Sequence, residues 1–407
     1  MSTRLDAPWL NSGALPRLLA VLDSDGEEAA VIGGAVRNAL LGEPVHEFDI
    51  ATTAVPGEVV RRVTAAGFKA VPTGIEHGTI TVVIDGQPFE VTTLREDVET
   101  YGRKAKVAFG RDWKKDAERR DFTFNALSAT RDGVVRDFTG GIADLKARRV
   151  RFIGDAARRI EEDYLRILRF FRFYAAYGEG QPDPDGLRAC IAARAGLATL
   201  SRERVRMEML KLLAARHAVS ALAAMAEGGL LLPVLGGVPY LAAFANIKKA
   251  EDAAGIPADS VRRLGALGVS VVEDAERLGA RLRLSNEEQA QLAAMGDGWW
   301  RIDPSRPANE LRALLYRLGP QRYTDRALLA FARSQSPAAD KSWRELVALP
   351  QRWTAPKFPL ASGDFIARGV EKGPKLGEAM RKAEQDWIAA DFPLDSHALQ
   401  AILSKSA

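Results

Sequence analysis

The alternation of apolar and polar positions divides the chain near residue 156. Before it, apolar runs are short and punctuated by glycines and Asp-Gly pairs; beyond it, Ala, Leu, Arg and Glu recur at helical spacing. Residues 29 to 32 are a continuous apolar run that predicts a buried strand ending at Gly33-Gly34, with a short helix over 36 to 41. Residues 46 to 51 alternate as a strand. Runs over 80 to 84 and 88 to 94 flank Asp85-Gly86, a strong hairpin signal, and a second hairpin is expected at Asp132-Gly133, between 126 to 128 and 134 to 138. The later helices should break at 182 to 186, 255 to 257 and 303 to 307, where Pro, Gly and Asp gather. No repeat of fixed period and no low-complexity tract interrupts this pattern. It predicts a compact α+β head followed by a long all-α body.

With 407 residues, 47% of them hydrophobic, the chain can bury a sizeable core, and roughly 150 residues per domain implies two to four domains. The single cysteine, Cys190, excludes an internal disulfide and a cysteine-built zinc site, which leads us to expect a reducing, cytoplasmic setting. The first ten residues hold no uninterrupted apolar segment, so neither a signal peptide nor a membrane anchor is expected. The most apolar stretch, 221 to 245, is cut by Glu227, Gly228, Gly229, Pro233, Gly236 and Gly237, too broken to span a bilayer.

Formal net charge is +4, from 57 basic against 53 acidic residues, which by itself says little about nucleic acid. Arginines do cluster, at Arg119-Arg120, Arg158-Arg159, Arg166, Arg169, Arg172, Arg202, Arg204 and Arg206. Such a run can follow a phosphate backbone. It can equally form solvated helix faces paired with Glu161, Glu162, Glu203 and Glu208.

Two segments carry candidate chemistry. VIGGAVRNALLG, residues 31 to 42, sets Gly33 and Gly34 at a strand-to-helix turn with Arg37 one turn in; this is either a phosphate cradle built on backbone N–H groups or a plain turn. EFDIATTA, residues 47 to 54, would project Glu47 and Asp49 from one face of a strand, with Phe48 and Ile50 on the other. Carboxylates that close suit a hard divalent cation, and the alternative is a solvent-facing alternation. Their order within 20 residues, cradle, helix, then acidic pair, favours chemistry.

These two segments resemble the signature of the polymerase β-like nucleotidyltransferase superfamily, in particular the class II group containing CCA-adding tRNA nucleotidyltransferases and bacterial poly(A) polymerases. The family pattern has Asp at both acidic positions; Glu47 departs from it, keeping the charge on a longer arm. GIEHGTITVV and FEVTTLRED, residues 74 to 83 and 89 to 97, resemble the family's central hairpin, which would set Glu90 beside the pair as a further carboxylate or as a hydrogen-bonding group. ETYGRKAKVAFGRDW, residues 99 to 113, resembles its flexible loop. ERRDFTFNAL, residues 118 to 127, resembles its sugar- and phosphate-recognition motif, implying that Arg120 contacts the nucleotide, that Asp121 and Asn125 support the sugar side, and that Arg119 is structural.

EEDYLRILRFFRF, residues 161 to 173, resembles the family's base-selecting helix. Asp163 and Arg166, three apart, are expected to share a helix face. An acceptor beside a donor complements the Watson–Crick edges of cytosine and adenine and meets like against like on guanine and uracil. The family pattern also gives Arg169 and Arg172 to the nucleotide; steps of three rotate by about −60°, which puts Arg172 opposite Asp163 and leaves it a salt bridge or an RNA phosphate as alternatives. LSRERVRMEMLKLL, residues 200 to 213, resembles a bracing helix, and FPLASGDFIARGVEKGPKLGEAM, residues 358 to 380, the tail segment, whose turn at Gly369 to Pro374 either presents N–H groups to RNA or merely joins helices. Between 214 and 357 only LRLSNEE, residues 282 to 288, is similar to the family.

The resemblance implies a polymerase β-like palm, a mixed sheet with helices, over 1 to 150; a neck with the base-selecting helix over 151 to 215; a helical body over 216 to 290; and an RNA-binding helical tail over 291 to 407. It implies transfer of CMP and AMP from CTP and ATP to the tRNA 3′ end with release of pyrophosphate, through two Mg²⁺ ions on Glu47 and Asp49 as catalytic residues. Gly33, Gly34 and Arg37 would hold the triphosphate. A-only addition and poly(A) synthesis share these motifs; CCA addition is favoured because the chain ends at LQAILSKSA without a long basic extension. A non-catalytic RNA-binding protein is the reading from another class, resting on Glu47. None of the four histidines is followed by Asp, so an appended HD-type phosphohydrolase is not expected.

Overall fold

The computed structural model describes residues 3–101 and 104–406, with 96–101 and 104–107 described by backbone alone. Two compact units divide it, Met1–Val234 and Leu235–Ala407.

In the first unit, β1 (Ala29–Ile32), β2 (Asp49–Thr52), β3 (Lys69–Gly74), β4 (Thr79–Ile84), β5 (Gln87–Thr93), β8 (Ser128–Thr130) and β9 (Val135–Arg136) form one mixed sheet in the order β3-β4-β5-β2-β1-β8-β9, while β6 (Arg95–Tyr101) and β7 (Lys104–Phe109) pair separately. Every residue of β1 is buried, which is why it reads as an unbroken apolar run rather than an alternation. β4 buries every second residue. It turns into β5 through Asp85 and Gly86, both with positive φ (52° and 80°), the requirement of a type I′ turn. β2 pairs antiparallel with β1 and parallel with β5, so Asp49 lies beside Glu90.

The expected strand over 46 to 51 begins only at Asp49. Its last rung with β1 is Asp49 opposite Ile32, because β1 leaves the sheet at Gly33, and residues 43 to 48 run as coil. Phe48 nonetheless packs away from the carboxylates, between Trp9 and Phe89 at 5.2 and 6.4 Å. The second hairpin is likewise shifted: residues 123 to 125 form a 3-10 turn and its first strand starts at Ser128. The segment likened to a flexible loop has its residues 102 and 103 outside the described residues.

From Ala156 onward the described elements are helical. Pro184 opens a helix capped by the Asp183 side chain, the break expected there. In the second unit the breaks at 255 to 257 and 303 to 307 separate helices Leu241–Ala254 and Ser260–Gly268 and precede Ala308–Arg333. That last helix also kinks at Gly319-Pro320, a break the pattern analysis passed over. No described helix is long and apolar enough to cross a membrane.

Candidate active site

An aromatic cluster fixes the wall of the site. Phe122 and Phe124 on the 3-10 turn pack on Phe173 of helix Leu165–Tyr177 at 5.3 and 5.4 Å, with Phe152 and Phe170 stacked behind at 5.5 Å. Asp144, fully buried, accepts from Thr123 Oγ1 at 2.7 Å and from Arg149 and Arg151, which pins the same turn. The turn and the helix are therefore packed against each other.

In front of them opens a cleft of about 590 Å³. Gly33, Gly34, Arg37, Glu47, Asp49, Arg120, Asp121, Asn125, Asp163, Arg166, Arg169 and Arg172 all line it, whereas Glu90, considered as a further carboxylate, is not among the lining residues. Arg119, Leu165, Phe173 and Arg204 line it too, though sequence reasoning gave them no place there. Seven arginines face four carboxylates, a balance that suits a polyanion.

Gly33 needs to be glycine: its φ of 65° and ψ of −119° lie where a Cβ clashes with its own backbone. Its N–H bonds the Leu127 carbonyl at 2.9 Å, and its Cα faces the Asn125 carbonyl and Arg120. Gly34 opens helix Gly34–Leu41, whose first N–H groups have no partner within the helix and can serve an anion. Arg37 is nearly buried: Nη1 donates to Asn125 Oδ1 at 2.7 Å, Nη2 to the Tyr177 hydroxyl at 2.8 Å and Nε to Asn38 Oδ1 at 3.1 Å. Desolvation pulls its pKa below the ordinary arginine value. It is a strut between the glycine turn, the 3-10 turn and helix Leu165–Tyr177.

Asp49, at the head of β2, has its carboxyl pushed above the ordinary value by desolvation, then by Glu90 and Glu47, with Arg120 opposing. That acidic charge, offset only in part by Arg120, fits a divalent cation in its donor chemistry. Among the described residues no group of three or more His, Cys, Asp or Glu is arranged to hold a metal ion, so the fit rests on the pair Glu47 and Asp49. On the opposite wall, Asp121 accepts Arg169 through Oδ2 at 2.6 Å from Nε and 2.5 Å from Nη2.

The geometry of Asp163 and Arg166, the pair expected to read the base, differs from expectation. Asp163 is not in the helix: its backbone is extended, with φ −157° and ψ 105°, between helices Ala156–Glu162 and Leu165–Tyr177. Its carboxylate caps Leu165 N at 3.1 Å and takes both Nη1 and Nη2 of Arg204, at 3.2 and 2.6 Å. Arg166 pairs instead with Glu162 at 2.5 Å and donates to the Arg159 carbonyl at 2.7 Å. Asp163 and Arg166 thus share a cleft rather than a helix face, because the chain breaks where a carboxylate can cap the next helix. Arg172 forms a salt bridge with buried Glu208, the alternative left open for it, and stacks on Phe173 at 3.8 Å. Helix Arg202–Ala214 braces the wall through Glu208 and enters the cleft through Arg204.

A glycine turn, an acidic pair at a strand edge and a ring of arginines in one cleft of a mixed sheet define a nucleotidyltransferase. A family model for the poly(A) polymerase head domain matches residues 29–151, and one described as a probable RNA and SrmB-binding site of polymerase A matches 181–244. The chain is 34% identical to the mitochondrial CCA tRNA nucleotidyltransferase 1 of Danio rerio over 98% of this chain and 92% of the relative. It is 31% identical to a CCA-adding enzyme of Limosilactobacillus fermentum, over 94% of each. A crystal structure of the Bacillus stearothermophilus CCA-adding enzyme in complex with CTP superposes with a TM-score of 0.76 at 27% identity, covering 98% of both chains. The chain belongs to the CCA-adding tRNA nucleotidyltransferase family.

Proposed function

We propose that this protein adds C and A residues, from CTP and ATP, to the 3′ end of tRNA and releases pyrophosphate. One observation carries the reading: the acidic pair Glu47 and Asp49 and the pair Asp163 and Arg166 line one and the same cleft of about 590 Å³. Relatives solved with CTP, with ATP and with tRNA have the same fold.

In this reading the backbone N–H groups at Gly33 and Gly34 take the triphosphate, and Arg37 acts by holding Asn125 rather than by touching phosphate. Arg120 binds the sugar-phosphate, with Asp121 and Asn125 on the sugar side. Asp163 accepts the exocyclic amino group of cytosine or adenine on Oδ2, which keeps a lone pair beside Arg204, and Arg166 donates to the ring nitrogen. Arg169 and Arg172 complete the cationic wall. Glu47 and Asp49 would hold Mg²⁺, which when bound supplies the charge that activates the RNA 3′-hydroxyl and stabilises the departing pyrophosphate. We take the palm as 1 to 150, the neck as 151 to 215, the body as 216 to 290 and the tail, with its RNA contacts, as 291 to 407, and we place the enzyme in the cytoplasm, which the lone buried cysteine supports.

The head-domain match makes poly(A) synthesis the rival. Incubation of tRNA lacking its terminal triplet with CTP and ATP separately decides: CTP incorporation is expected, and ATP use without any CTP use overturns the proposal.

A further inference from the structure

Asp116 lies outside the cleft and outside every motif used above, yet it holds two of the cleft's arginines. It sits on helix Trp113–Glu118, 4% exposed, in the segment between β7 and the 3-10 turn. Its two oxygens are divided between two guanidinium groups. Oδ1 accepts Arg119 Nε and Nη2 at 3.0 and 2.6 Å. Oδ2 accepts Arg120 Nε and Nη2 at 3.2 and 2.9 Å. The helix is itself fixed: Asp112 caps it through Lys114 N at 2.8 Å, and Trp113 packs on Ile32 of β1, Ala51 of β2 and Leu94, which follows β5.

An arginine presents five N–H groups, and a carboxylate that engages Nε and one terminal nitrogen along the same edge leaves the other terminal nitrogen facing away. For Arg120 that remaining nitrogen is Nη1, and it lies 3.9 Å from where a Cβ on Gly33 would stand. It is therefore aimed at the glycine turn, and Arg120 lines the same cleft as Glu47 and Asp49. We infer that Asp116 is a positioning residue: it fixes the rotation of the Arg120 guanidinium so that Nη1 faces the triphosphate between the glycine turn and the acidic pair. This rests on the triphosphate reading of the cleft. Without the carboxylate, Arg120 keeps its charge and loses its orientation, so binding of the triphosphate weakens far more than the chemical step does.

The test is steady-state incorporation into tRNA with Asp116→Asn, alone and in an Arg120→Ala background, with thermal unfolding recorded for each variant. We expect KM for both CTP and ATP to rise about tenfold, with kcat within about threefold, when Arg120 is present, and by less than about twofold when it is absent. Equal effects in both backgrounds, or a wild-type KM in Asp116→Asn, overturn the inference. If Asp116→Asn does not fold, Asp116→Glu carries the same comparison: it keeps the charge and displaces the guanidinium, and a KM rise that vanishes in Arg120→Ala is expected, whereas an unchanged KM overturns. Wild-type incorporation of CTP and ATP in the same assay separates failure of this inference from failure of the functional reading.

Discussion

At the scale of single residues, the proposed catalytic Asp49 sits where its charge opposes stability. Its raised carboxyl pKa means that folding favours the protonated form, so at neutral pH the ionised group opposes folding. Replacing it with Asn removes that repulsion from Glu90 and Glu47. We expect Asp49→Asn to unfold at the wild-type temperature or above it while nucleotide incorporation falls by about 10³-fold, as loss of several kcal/mol of charge stabilisation requires; a variant that loses stability and keeps activity contradicts the assignment. Asp163 is the residue we propose for base specificity. Its Oδ2 can only accept, whereas an amide placed there can also donate to the O4 carbonyl of uracil. Asp163→Asn should narrow the preference for CTP over UTP by about 10- to 100-fold, measured as a ratio of kcat/KM. The residue types and their order were readable from the chain because Gly33, Asp49 and Asp121 each follow a local rule of turn, strand edge or motif. The Asp163–Arg204 pair was not, since its partners are 41 positions apart and no periodicity joins them. Asp116 lay between these cases: its spacing of three and four from Arg119 and Arg120 is a helical signal that went unused.

At the scale of elements, the site depends on how firmly the 3-10 turn Thr123–Asn125 is held to helix Leu165–Tyr177. Hairpins and the buried β1 could be read from turn residues and apolar runs, but this turn could not, because it is held by partners distant in sequence, Asp144 and the aromatic cluster, and only a strand over 126 to 128 was legible there. Asp144 is the element's anchor. Against the desolvation of burial, Thr123 and then Arg151 and Arg149 hold its carboxyl below the ordinary value of 3.8. A depressed acid stabilises the fold above its unfolded pKa, and that stabilisation disappears as pH falls through the folded value. We expect Asp144→Asn to cost about 2–3 kcal/mol at pH 7, less than the roughly 3–5 for a wholly buried pair because both arginines still reach solvent. Thermal unfolding from pH 7 to pH 3 should show the gap between variant and wild type constant above about pH 4 and shrinking below it. A gap that stays constant down to pH 3 would assign the stabilisation to a neutral hydrogen bond rather than to the ionised carboxylate.

At the scale of the whole molecule, the two compact units meet in sequence at Val234 and Leu235. The chain marks that place with Pro233 and the Gly236-Gly237 pair, the same residues that argue against a membrane span, so a boundary was encoded where only an interruption was read. All twelve residues proposed for the cleft's site fall in the first unit. The second unit has a polar centre of its own. Arg262, 3% exposed, donates to Glu251 at 2.8 Å through Nη1 and to Asp325 at 2.7 Å through Nε; Arg263 takes the other oxygen of Glu251, and Gln291 and Gln321 donate to Asp325. Removing Arg262 leaves two carboxylates buried with too little positive charge, an outcome that typically costs about 3–5 kcal/mol. Because the site lies wholly in the first unit, that cost should remain in the second. We expect Arg262→Met to lower an unfolding transition by about 10 °C, on the scale of about 2–4 °C per kcal/mol for units of this size, while the cleft's affinity for CTP at 25 °C, measured on the same full-length protein by titration calorimetry, stays within about twofold of wild type. A loss of CTP affinity in step with the loss of stability would mean that the second unit's ionic core sets the geometry of the first unit's cleft.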